Sequence, residues 1–119
     1  MKDVKMRQLI KIFKALSDSN RLRILKMLEV RPLCVCEIRE ILDLAISTVS
    51  KHLAILRDAG FILDTKDGKW VNYKLNVEGH EEYIQELLPL IKKWIPDDQT
   101  IQQDRLKVQE VDRYTICGI

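Results

Sequence analysis

Three cysteines stand among the 119 residues, at Cys34, Cys36 and Cys117. Thiolate sulfur is a soft donor, so the triplet Cys34-Val35-Cys36 with a distant third thiol suits a thiophilic ion. An odd number of cysteines, in a chain whose amino terminus alternates charge with apolar residues instead of forming a leader, reads poorly as a disulfide framework. It reads better as metal binding or redox chemistry. Residues two apart in a regular helix point about 200° away from one another. Two thiolates at a helix start therefore close on one ion only if Cys34, or both, leave helical geometry. Pro32, just upstream, makes an irregular start reasonable. Ion capture would then bend the helix that follows, and a ligand that binds one shape better than another shifts the population between them. Free cysteine is also a common small buried residue, so spacing alone leaves open that Cys34 and Cys36 only pack.

A second set of residues is polar and basic. Ser47, Thr48, Ser50, Lys51 and His52 lie at the start of a helical pattern. They are the small or hydrogen-bonding types that a helix entering a major groove about 12 Å wide requires. Arg57 lies further along and could reach phosphate, and Lys66 and Lys69 flank a turn from which they could grip the adjacent backbone. Residues 1–75 hold 15 Lys/Arg against 9 Asp/Glu, whereas residues 76–119 hold 5 against 9, beneath a net charge of only +2. A basic front suits a polyanion, although a solvated protein-interaction module would look similar. Nothing suggests an enzyme: there is no phosphate-binding glycine loop, paired-carboxylate cleft or nucleophile–base–orienter pattern. His80, beside Glu81 and Glu82 but without a second histidine, reads as a solvated helix-start residue and not as a zinc ligand.

The elements that must position these groups follow from periodicity. The length suits one domain, the composition is that of a folded chain, and no run approaches the roughly 20 apolar residues of a membrane span. A cytoplasmic protein without membrane partners is expected. Helices are expected over residues 4–16, after the capping cluster Ser17-Asp18-Ser19-Asn20 until Pro32, from Cys34 or Val35 to Leu42, and over residues 47–59 with Gly60 just beyond. Strands 61–63 and 70–75 flank the turn Lys66-Asp67-Gly68-Lys69, whose Asp-Gly is a strong hairpin signal. Residues 79–95 form an amphipathic helix in which Pro89 predicts a kink or break near Leu88. Beyond Pro96 the tail offers one weak helix and then a loose end carrying Cys117. The pattern is mainly α with a small β-hairpin, a winged helix-turn-helix. It divides into residues 1–95, for DNA binding and dimerisation, and a tail, residues 96–119. Leu9 and Phe13 on the first helix, and Ile84, Leu87, Leu88, Ile91 and Trp94 on the 79–95 helix, offer more apolar surface than one small domain covers, and so a partner surface.

Taken together, ALSDSNRLRIL, LCVCEI, STVSKHLAILRDAGFI and KDGKWVNYKL resemble the ArsR/SmtB family of dimeric metal-responsive repressors, over residues 9–95. The resemblance implies a homodimer on a palindromic operator. It implies reading of double-stranded DNA by Ser47, Thr48, Ser50, Lys51 and His52, and release when a metal or metalloid binds. LCVCEI is similar to the arsenic- and antimony-responsive branch, which implies As(III) or Sb(III) as inducer, with no organic cofactor. Cys34 and Cys36 then supply two sulfurs; the third ligand is Cys117 of either subunit, or, with Cys117 a free terminal thiol, a small-molecule thiol or water. Related cadmium/lead sensors add cysteines near the amino terminus, and residues 1–33 contain none. Ala45 and Ile46 depart from the family, which often has Ser and a polar residue there. A side-chain cap worth about 1 kcal/mol is lost, and Ile46 is expected to pack inward. Two alternatives remain: cysteines acting as redox switches in a DNA-binding protein, and a winged helix that binds protein.

Overall fold

The computed structural model describes residues 2–116, with side chains from Lys5 onward. Helix α1 (Lys2–Leu16) is followed by α2 (Ser19–Leu28), whose start is fixed by the Asp18 carboxylate accepting from the amides of Asn20 (2.8 Å) and Arg21 (3.1 Å). A two-residue strand, β1 (Leu33–Cys34), leads directly into α3 (Val35–Leu42). Asp43, with φ +55°, turns the chain into α4 (Ile46–Ala59), which Gly60 ends at φ +94°, a conformation cheap only for glycine. The apolar stripes meet in one core, with Ile12, Ile24, Leu25, Ile38, Leu53, Leu56 and Phe61 buried together.

Strands β2 (Ile62–Asp67) and β3 (Trp70–Leu75) form the wing, and the sheet order is β1-β3-β2. Asp67 pairs with Trp70, so Gly68-Lys69 is the two-residue loop and Gly68 takes φ +62°. The turn thus lies one residue later than Asp-Gly predicted, and β2 runs well past Leu63. The β1 strand was not expected. Its register, Leu33 opposite Tyr73 and Cys34 opposite Asn72, fastens the first thiol to the central strand of the wing.

Helix α5 (Glu82–Lys93) continues through Pro89, so of the kink or break expected near Leu88 a break does not occur, and Trp94 and Ile95 fall beyond its end. One reason is a strong terminus: the buried Lys26 ammonium of α2 donates to the carbonyls of Ile91 (2.9 Å), Lys92 (3.3 Å) and Trp94 (3.0 Å), and pairs with Glu29. The segment after Pro96 is not loose as far as Ile116. Helix α6 (Gln99–Glu110) packs on α2 and α3, burying Ile101 and Val108, and is joined to α2 by a forked pair in which Arg23 meets Asp104 at 2.8 and 3.0 Å. Helix α7 (Arg113–Ile116) packs against α3. Cys117 lies outside the described residues. Among those residues no helix is long and apolar enough to cross a membrane.

Candidate thiol site and nucleic-acid interface

Val49, Leu53 and Leu56 seat α4 in the core, leaving Ser47, Thr48, Ser50 and Lys51 exposed together at its amino-terminal end. That is the expected surface, with two corrections. Ile46 does not pack inward but is 47% exposed. It is the first residue of α4, and helical side chains tilt toward the amino terminus, so it overhangs the helix end. His52 is not part of the outer face. Its ring is half-buried towards α2, with Nδ1 3.1 Å from the Arg21 guanidinium and 4.0 Å from Asp18. A guanidinium can only donate, so Arg21 is the donor of this contact. Arg21 also caps the end of α1 through the carbonyls of Ala15 (2.8 Å) and Lys14 (3.0 Å). His52 thus faces α2 and not the outer surface of α4. Arg57 is tied to Asp64 at 3.2 Å, joining α4 to β2, while Lys66 and Lys69 are exposed near the wing tip.

Cys34 is not helical. With φ −86° and ψ 167° it is extended, closing β1 and standing as the N-cap of α3. The departure from helical geometry that a chelate requires is thus built into the protein. The segment around this thiol is a strand edge and not a helix. Cys34 is 1% exposed, and this burial pushes its thiol above the ordinary range. Its amide donates to Glu37 Oε1 (2.9 Å). Arg31 then donates to Glu37 Oε2 (3.1 Å) and to the carbonyls of Val108 (2.9 Å) and Val111 (3.2 Å). Cys36, the second residue of α3, is half-buried and disulfide-bonded, whereas Cys34 is a free thiol. Among the described residues no three His, Cys, Asp or Glu side chains converge as a metal cluster, and His80 is exposed.

Sequence reasoning missed Arg31, Glu37 and Arg113. Glu37 had a legible signal, because a Glu three residues after an N-cap forms half of a capping box. The arginines had none, since their partners lie up to 80 positions away. The apolar faces also need correction. Ile84, Leu88 and Ile91 are buried in the chain's own core. Leu9 and Leu87 are half-buried. Phe13 and Trp94 remain exposed, at 56% and 49%, joined by Met6 and Ile10 on α1 and by Leu90 and Ile95 near the end of α5.

Residues 18–63 match the family described as "Bacterial regulatory protein, arsR family". The "Arsenical resistance operon repressor" of Escherichia coli is 47% identical over 68 residues, covering 56% of this chain and 58% of that repressor. The "Arsenic resistance transcriptional regulator ArsR1" of Pseudomonas putida is 35% identical over 102 residues, covering 84% of this chain and 77% of the relative. Regulators named for cadmium resistance, from Staphylococcus aureus and Listeria innocua, are similar as well. In fold, the chain resembles Mb0332 of Mycobacterium bovis, described as a homodimeric winged helix-turn-helix DNA-binding domain. The TM-score is 0.65 at 23% identity, over 89% of this chain and 88% of that one. The match along most of its length to the Pseudomonas putida regulator, with the family match over residues 18–63, places this chain in the ArsR family of bacterial transcription regulators, a family of DNA-binding proteins and not of enzymes.

Proposed function

We propose that the protein is a cytoplasmic, homodimeric repressor of transcription that holds operator DNA through α4 and the wing and releases it when Cys34, Cys36 and Cys117 capture As(III) or Sb(III). The observation that carries this reading is the register of Cys34 opposite Asn72: the first thiol belongs to the same sheet as the wing. In the reduced protein each thiol replaces one hydroxide of the trivalent oxyacid, the thiol proton leaving with that hydroxide as water. Drawing the Cys34 sulfur out of its buried place towards Cys36 strains the β1–β3 pairing and, with it, the strand that carries the wing. The ligand binds this strained form better and so opposes the DNA-competent one.

A three-sulfur set suits a trigonal metalloid ion. Cadmium usually takes four ligands, and residues 1–33 hold no cysteine to complete such a shell. Relatives named for arsenic resistance support the same choice. The described chain ends at Ile116, beside α3, and Cys117 follows directly in sequence. Ser47, Thr48, Ser50 and Lys51 are the base-reading candidates, and Lys66 and Lys69 the phosphate-holding ones. Exposed Met6, Ile10, Phe13, Leu90, Trp94 and Ile95 supply the apolar surface for a second copy. Arsenic X-ray absorption on reduced wild type and Cys117→Ser tests the ligand set directly. Three sulfur neighbours falling to two supports it, and an unchanged count removes Cys117 from the site.

The disulfide-bonded state of Cys36 favours a second reading, a thiol-redox switch on the same scaffold. Peroxide releasing DNA while arsenite does not would select it.

A further inference from the structure

The segment that follows α6 is fastened at two places. At its root, the Val111 carbonyl accepts from Arg31, whose guanidinium also holds Glu37, whose carboxylate holds the Cys34 amide. Two residues later, Arg113 reaches the wing. It donates to Asp67 Oδ2 (2.9 Å) and Asn72 Oδ1 (3.2 Å), and its guanidinium carbon lies 4.0 Å from the centre of the Trp70 ring. Tyr114 adds an edge-to-face contact on Trp70, with centroids 4.8 Å apart. Asn72 is the residue paired with Cys34 across β1 and β3. The contacts therefore close a circuit: Cys34, Glu37, Arg31, Val111, Arg113, Asn72 and back to Cys34.

We propose that residues 111–116 form a strap and that Arg113 is its clasp, a positioning residue that locks the wing to the amino-terminal end of α3, so that the wing and the Cys34 thiol move as one unit. The chemistry fits that role better than it fits a phosphate contact. Both arms of the Arg113 fork are taken by protein oxygens and its flat face by an indole, which leaves little of the guanidinium for DNA. In turn it neutralises Asp67, the carboxylate next to the wing-tip loop, where bare charge would repel phosphate. The proposal deepens the DNA-binding reading above by assigning a residue that holds the wing in place for it, but the clasp itself is testable without DNA.

The experiment compares reduced wild type, Arg113→Ala, Asp67→Asn and the double variant by hydrogen exchange and by anisotropy with a fluorescein-labelled duplex that the protein selects from a random pool. Losing a stacked, ion-paired guanidinium of modest exposure costs about a fivefold change. Arg113→Ala is therefore expected to speed exchange of the 64–73 amides about that much, with a matching loss of duplex affinity. The circuit adds a remote signature, faster exchange at the Cys34 amide. Asp67→Asn in the Arg113→Ala background does not restore affinity if the clasp matters, and restores it if only charge does, which overturns the proposal. Unchanged exchange in the wing overturns it too. Arg113→Lys, which keeps the charge but loses fork and stack, serves if the alanine variant fails to fold, and it should behave like alanine. Failure of wild type to bind any duplex at low salt removes the DNA reading, while the exchange data still decide on the clasp.

Discussion

The α4 surface and the thiol joint sit on the same small domain and are built in opposite ways. The α4 surface is local: Ser47, Thr48, Ser50 and Lys51 are exposed because Val49, Leu53 and Leu56 are inside, and one helix decides it. The joint at Cys34 is assembled from β1, α3, β3, α6 and the strap, through partners as far apart in sequence as Arg31 and Val111. A local surface is stable to change elsewhere. A joint made of long-range pairs transmits change, because opening one pair loosens the next. A regulator needs both, and here α4 meets the wing at β2 while the joint meets it at β3.

The strongest way to break the contrast is to unfix the joint from behind. Asp104 is buried and paired with Arg23, which is largely shielded. Arg23→Ala leaves that carboxylate uncompensated and should cost about 3 kcal/mol of stability. The thermal midpoint should then fall by roughly 10 °C; a change of under a degree in a calorimetric scan would show that α6 is not anchored there. The same scan on Ser50→Ala should show almost no change, since nothing long-range depends on that residue.

A smaller effect separates the two regions by pH. Burial raises the Cys34 thiol, and the thiolate is the form that binds. The rate of arsenite capture should climb about tenfold per pH unit and keep climbing past pH 8.5, about where an ordinary thiol levels off. The folded state also keeps a proton that the unfolded chain loses, so this group's stabilisation is complete below the unfolded value and is lost as pH rises above it. Stopped-flow capture that levels off at the ordinary thiol value would show that Cys34 reacts as an exposed group. The smallest effect belongs to the wing tip. Lys66→Ala should lower the slope of log duplex affinity against log salt by about one while leaving arsenite affinity unchanged. An unchanged slope would place the tip away from phosphate.

What the sequence revealed divides along the same line. The four helices of the amino-terminal half, Gly60 as a terminator, and the exposed Ser47-to-Lys51 surface were all readable, because period and capping are local signals. Ile46 and His52 were misplaced: one overhangs a helix end, and the other is turned inward by Arg21, a partner 31 positions away. The dimer candidates on α5 were read from apolarity and from the family resemblance, and a one-dimensional stripe does not say which of its members face the chain's own core. Pro89 promised a kink or a break, and the helix runs on through it to an end capped by Lys26. Nothing in LCV marked β1 as a strand, since two residues carry no period.

The joint is most directly tested by measuring the affinity of the reduced protein for its selected duplex, with and without saturating arsenite, alongside Cys34→Ser. Coupling of the thiol to the wing predicts at least a tenfold loss of affinity in wild type, about the size of an ordinary allosteric coupling, and no loss in Cys34→Ser. Arsenite bound by three sulfurs with duplex affinity unchanged would contradict it.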